Sequence, residues 1–187
     1  INAGDGINEH PTQALFDTYT IKNHFGKLDR LVITMVGDLK NGRTVHSLTK
    51  ALVKTGIHLQ LYFVSPQVLS MPSEIKNQVT KSENKFIETT DLASIIADSD
   101  VIYMTRVQKE RFEDIDEYES LKDLYILNRR LMKNAKNNVL IMHPLPIAAG
   151  EIDSDLDKDQ RSVYLTSQLS NGLYLRMALL DLILRKQ

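Results

Sequence analysis

The stretch 31-LVITMVGDLKNGRTVHSL-48 decides how the rest of the chain is read. It opens with six apolar or β-branched residues in a row, LVITMV. That is the composition of a strand covered on both faces. A turn-rich loop, GDLKNGR (37–43), follows at once. From Thr44 the spacing changes: Val45, Leu48 and Leu52 fall on one helical face, and Gly56 suits the stop. Strand, polar loop and amphipathic helix in this order form the repeating unit of a parallel α/β sheet.

Working outward, the same alternation recurs. Pro11 to Phe25 reads as a helix with Pro11 in its first turn and Gly26 just past its end. IHLQLYFV (57–64) alternates, with Ile57, Leu59, Leu61 and Phe63 on one side. A polar helix starts after Pro72 and runs to about Lys81, and KFIE (85–88) is a short strand. DLASIIAD (91–98) reads as a helix with Asp91 as its cap. VIYM (101–104) and VLIM (139–142) are two further strands. The excursion between them is part loop and part helix, the latter at roughly 129–136. The last segment, 171–187, is a strongly apolar helix. The expected fold class is α/β: a Rossmann-like three-layer domain with a mostly parallel sheet of about five strands, flanked by helices, plus a C-terminal helix. Such folds bind ligands at the carboxyl ends of their strands.

Composition narrows the chemistry. The chain has 187 residues, 42% of them hydrophobic and 25% charged, in the range of a soluble globular domain that can bury a core unaided. It holds no cysteine, which removes disulfides, a thiolate nucleophile and zinc–thiolate sites. That is compatible with a cytoplasmic protein. The net charge of −1 offers no field for nucleic acid. No apolar run approaches the roughly 20 residues of a membrane span. The histidines at 10, 46 and 143 lie in separate segments without ligand spacing, so neither metal nor cofactor is expected. The chain starts at Ile1 and runs directly into INAGDGINEHPTQ, which reads as the interior of a longer protein.

Polar clusters follow the predicted strands or open a helix: GDGINEHPTQ (4–13), GDLKNGRTVHS (37–47), SP (65–66), TRVQKER (105–111) and HPLP (143–146). Each alone is an ordinary loop. Together and in this order they resemble the aspartate carbamoyltransferases, across nearly the whole chain. The resemblance is to the second half of the catalytic chain: residues 1–187 as the aspartate-binding domain of a two-domain enzyme. The terminal helix, 171–187, is expected to pack on a missing N-terminal carbamoyl-phosphate domain. In a chain lacking that domain the helix should pack on a neighbour, swap or lose order. The implied reaction converts carbamoyl phosphate and L-aspartate to N-carbamoyl-L-aspartate and phosphate, an early step of pyrimidine synthesis, in a homotrimer when complete.

The residue chemistry agrees. Aspartate carries two carboxylates, and the arginine fork pairs with a carboxylate bidentately. By resemblance Arg43 holds the α-carboxylate, and Arg106 with Gln108 the β-carboxylate. His10 and Gln13 face the carbamoyl group. His10 donates to its carbonyl oxygen, where negative charge builds, and Gln13 holds its amide. Pro144 and Leu145 offer carbonyl acceptors, and Leu145–Pro146 is expected to be cis. Glu110, four residues beyond Arg106, braces the guanidinium if the stretch is turned. By resemblance Arg111 ties this domain to its neighbour. Otherwise Glu110 and Arg111 belong to a charge run facing water. His46 and His143 are given structural roles.

The chain also departs from the family. Ile147 stands where an arginine usually follows HPLP, Gln160 where a proline is common, and Leu165 where a Phe is expected. The segment 147–168 is also longer than usual. An ornithine-type carbamoyltransferase is the nearest alternative, but that family usually carries a cysteine in an HCLP loop. A non-catalytic relative that kept the fold is the other.

Overall fold

The computed structural model describes residues 1–6, 8–148 and 150–185. Lys186 and Gln187, the end of the expected terminal helix, lie outside them. The elements run in chain order as α1 (Pro11–Phe25), β1 (Val32–Val36), α2 (Arg43–Thr55), β2 (Gln60–Val64), α3 (Ser73–Thr80) and β3 (Lys85–Thr89). They continue as β4 (Val101–Met104), α4 (Ile115–Leu121), α5 (Arg129–Met132), β5 (Leu140–Met142) and α6 (Ser167–Leu184).

Among the described residues five strands form one sheet in the order β3-β2-β1-β4-β5, every pair parallel. The LVITMV run is its centre. Ile33 and Met35 point into one core with Val45, Leu48 and Leu52 of α2, while Val36 joins a second core with Ile96, Ile102 and Ile141. Burial on both faces explains why this strand is continuously apolar instead of alternating. Its one polar member, Thr34, is buried and satisfied by the Ser99 hydroxyl at 2.7 Å.

The chain passes from β1 outward to β2 and β3, then returns to the other side of β1 with β4. The crevice at the carboxyl ends of β1 and β4 is therefore the switch point where such sheets bind ligands. Gly37 makes the close approach there. Its φ is +115°, and a Cβ would lie 2.3 Å from the Thr105 carbonyl oxygen. Gly37→Ala is expected to destabilise the fold by about 3 kcal/mol or more, because strain and a backbone clash coincide. A urea midpoint equal to wild type would contradict this.

Several expectations shift. Residues 91–98 are not an α-helix. Leu92, Ile95 and Ile96 are buried with helical spacing, but the backbone closes three-residue turns, such as Ile95 N–H to the Leu92 carbonyl at 3.3 Å. Asp91 does cap the segment, but the backbone bonds that follow it are of the tighter three-residue kind. The Asp91 carboxylate accepts from the Ala93 and Ser94 amides, and the Ser94 hydroxyl donates to the Asp91 carbonyl. The 57–64 strand begins only at Gln60, because His58 takes φ +53° and Ile57 is half exposed. The helix expected at 129–136 is α5, a single turn followed by tighter turns to Ala135. Sequence reading did not mark α4, which Asp114 caps by accepting the Asp116 amide.

The terminal helix is continuous and lies on α1. The Asn171 side chain donates to Thr20 Oγ1 at 2.9 Å, and the Arg176 guanidinium sits 5.1 Å from the Phe16 ring centroid. These ties lay the first turns of α6 along α1. Its buried residues are Gln168 and Gly172, while Leu173, Tyr174, Met177, Leu182, Ile183 and Leu184 are all more than half exposed.

Candidate active site

Three adjacent strands deliver the predicted residues to one place. Arg43 opens α2 after β1, Thr105 to Gln108 follow β4, and His143 to Pro146 follow β5. The N-terminus of α1 supplies His10 and Gln13. Together with Gly42, Thr44 and Thr105, the residues His10, Gln13, Arg43, Arg106, Gln108, His143, Pro144, Leu145 and Pro146 line a cavity of about 270 Å³. Two helix N-termini, those of α1 and α2, point at it, and each favours an anion. Glu110 and Arg111 lie just outside the lining.

Arg43 donates through one guanidinium nitrogen to the Gly6 carbonyl at 2.7 Å. Arg106 forms a two-point ion pair with Glu110, one contact being 3.1 Å from Nη1 to Oε2. The Arg106 hydrogen bonds pull the Glu110 carboxyl down to about 2. Residues Lys109–Arg111 are a 3₁₀ turn, which brings Glu110 back onto the guanidinium. Arg111 makes no described ion pair and is exposed.

His10 is the N-cap residue of α1, its backbone N–H held by Ser47 Oγ at 2.9 Å. The Ser47 hydroxyl in turn donates to Glu9, which also pairs with Lys50. The His10 ring is partly buried, and Nδ1 has no hydrogen-bond partner among the described residues. Burial depresses its pKa below the usual histidine value, and the charges of Arg43 and Arg176 add to the effect. The ring is therefore neutral at pH 7 and still carries one N–H to donate.

The loop after β5 is built around His143. Its Nδ1 accepts the Leu145 N–H at 2.8 Å, which places the ring hydrogen on Nε2, facing Glu151 Oε1 at 2.9 Å. This is the structural role expected of His143, and Glu151 is the partner the sequence did not disclose. Leu145 takes φ +59°, rare for a branched side chain, and the Leu145–Pro146 bond is cis. Ile147, in place of the family arginine, packs with Leu145 against the second core. His46 hydrogen-bonds the Leu39 carbonyl at 2.7 Å, which fixes the loop before α2.

Sequence reasoning missed a layer beneath the cavity. Asp17, Tyr103 and Gln168 are buried, and the Gln13 amide reaches Asp17 at 3.1 and 3.2 Å. The four-residue step from Gln13 to Asp17 on one helix was the available signal.

Residues 29–183 match the family described as aspartate/ornithine carbamoyltransferase, Asp/Orn binding domain. The chain is 49% identical over 184 residues to the aspartate carbamoyltransferase catalytic subunit of Thermococcus gammatolerans, covering 98% of this chain and 58% of that protein. The catalytic subunit of M. jannaschii aspartate transcarbamoylase superposes with a TM-score of 0.86 at 44% identity, over 97% of this chain and 58% of that one. Aspartate transcarbamoylase from Trypanosoma cruzi, solved with carbamoyl phosphate and aspartate, gives 0.86 at 37% identity, over 95% and 58%. The chain thus spans little more than half the length of these relatives. On the extent of the family match, it belongs to the aspartate/ornithine carbamoyltransferases and carries their Asp/Orn binding domain.

Proposed function

We propose that the chain is the aspartate-binding half of an aspartate carbamoyltransferase. The observation that carries the reading is the pair of arginines, Arg43 and Arg106, lining one cavity with His10, Gln13 and the His143–Pro146 loop. Two cations converging on one small space suit a dicarboxylate, and ornithine, with its second ammonium, would be repelled by one of them. Arg43 takes the α-carboxylate, and Arg106 with Gln108 the β-carboxylate. The aspartate amine attacks the carbamoyl carbon, the carbon–oxygen bond to phosphate breaks, and phosphate leaves with its electron pair. As the new C–N bond forms, the amine proton passes to an oxygen of the departing phosphate. The Pro144 and Leu145 carbonyls accept from the amine and carbamoyl N–H groups. His10 donates to the carbamoyl oxygen as it gains charge. The protein contributes positioning and electrostatics, with no covalent intermediate.

The described cavity has no cluster of cations for a phosphate beyond Arg43 and Arg106. We assign phosphate binding to a carbamoyl-phosphate domain preceding this chain, and the 58% coverage of the Thermococcus subunit supports it. The exposed apolar side chains of α6 are the surface on which that domain would sit, with Arg111 joining the two halves. The family resemblance further implies a homotrimer acting in the cytoplasm, in pyrimidine synthesis. Among the described residues no helix is long and apolar enough to cross a membrane.

The complete protein is expected to form carbamoyl-aspartate from carbamoyl phosphate and aspartate but not carbamoyl-ornithine from ornithine. The 187-residue chain alone is expected to form neither. Ornithine turnover by the complete protein would establish the other branch of the family. Turnover by the lone chain would overturn the division of the site.

A further inference from the structure

Side chains of α1, β4 and α6 meet at Asp17, which is fully buried. Gln13 offers its amide nitrogen to both carboxylate oxygens, at 3.1 and 3.2 Å. The Tyr103 hydroxyl of β4 donates at 2.6 Å, and Gln168 Nε2 of α6 donates at 2.7 Å. The other end of the Gln168 amide is also engaged: its carbonyl oxygen accepts the His143 backbone N–H at 3.1 Å. A carboxylate only accepts, so the orientation of both amides follows from it. Gln13 must turn its NH₂ toward Asp17, which leaves its carbonyl oxygen for the cavity that Gln13 lines. Gln168 must turn its carbonyl toward His143.

We propose that Asp17 is the positioning residue of this site. It locks the Gln13 carbonyl oxygen toward the carbamoyl NH₂ and, through Gln168, holds the start of the His143–Pro146 loop against the same frame. The inference rests on the carbamoyl-transfer reading above. A flipped Gln13 would set its NH₂ against the carbamoyl NH₂, two donors facing each other, and the substrate carbon would lose its alignment.

Burial pushes the Asp17 carboxyl up to about 7, with Tyr103, Gln168, Gln13 and the Arg176 charge pulling the other way. Tyr103 of β4 and Arg176 of α6 are the titratable and charged groups acting on it. The anion accepts all three donors. Below about pH 7 one oxygen gains a proton and a donor is displaced. The kcat of the complete enzyme should therefore fall as the pH drops through that value.

Asp17→Asn in the complete enzyme is expected to lower kcat about 100-fold, while the KM for aspartate, set by the arginines, holds. The acid limb near pH 7 should vanish with it. In a Gln13→Ala background the same change should add little, because Asp17 acts through Gln13. Tyr103→Phe, which keeps the packing, carries the test if the Asn variant does not fold. Loss of that donor raises the Asp17 pKa, so the acid limb moves to higher pH. Losses that multiply in the double variant, or an unmoved limb in Tyr103→Phe, would overturn the proposal. A wild-type enzyme that forms no carbamoyl-aspartate would instead overturn the functional reading, and this inference with it.

Discussion

Arg106→Ala in the complete enzyme is expected to raise the KM for aspartate by about 100-fold or more. A charge-assisted hydrogen bond is worth about 1.5–3 kcal/mol, and the guanidinium edge that Glu110 leaves open, Nε–H beside an Nη–H, offers two parallel ones. At about 1.4 kcal/mol per factor of ten, losing both reaches at least two orders of magnitude. Arg106 is held in place before any substrate arrives. Glu110 grips it from the outer side through the 3₁₀ turn, so little side-chain freedom remains to be lost on binding. Arg106→Lys should rescue little, because a point charge cannot make the fork. Glu110→Gln removes the brace but keeps the cation, and a partly exposed pair is worth at most about 1 kcal/mol, so its effect should be several-fold. Steady-state kinetics with varied aspartate read all three variants. An Arg106→Ala enzyme with wild-type KM would show that the β-carboxylate is held elsewhere.

His10→Ala is expected to lower kcat by about 100- to 1000-fold with a smaller change in either KM. The size follows from removing one preorganised donor to an oxygen that gains charge in the transition state. The Ser47 hydroxyl fixes the His10 backbone, and burial with the two nearby arginines keeps the ring neutral at pH 7. Its single N–H is thus present throughout the range from pH 7 upward. His10→Asn, which keeps an N–H donor, should retain more activity than His10→Ala. Equal losses in the two variants would point to packing at the start of α1 in place of hydrogen bonding.

The parts of this protein that sequence discloses are those with local causes. LVITMV, buried on both faces, advertises a central strand, and the loops that follow strands carry Arg43, Arg106 and HPLP to the carboxyl end of the same sheet. The supporting layer has no local signature. Asp17 looks like one more polar residue in a helix, and its partner Gln168 lies 151 residues away. Tyr103 passes for an ordinary strand residue until β4 is seen beside α1. The error at 91–98 has a physical root as well. The apolar spacing is helical and Asp91 caps the segment, but its backbone bonds close three-residue turns, and spacing does not separate that tighter winding from an α-helix. Likewise Ile147 reads in sequence as a lost cation, and in the structure as a partly buried side chain packed against the second core, as Leu145 is.

The central claim is that this cavity recognises aspartate joined to a carbamoyl group. The most direct measurement is calorimetric titration of the complete protein with a bisubstrate analogue that joins a phosphonate to aspartate. The account predicts tight binding that Arg106→Ala weakens by about 100-fold. A folded wild-type protein that releases no heat and shows no competition with aspartate would contradict it, and would mark the chain as a relative that kept the fold without the site.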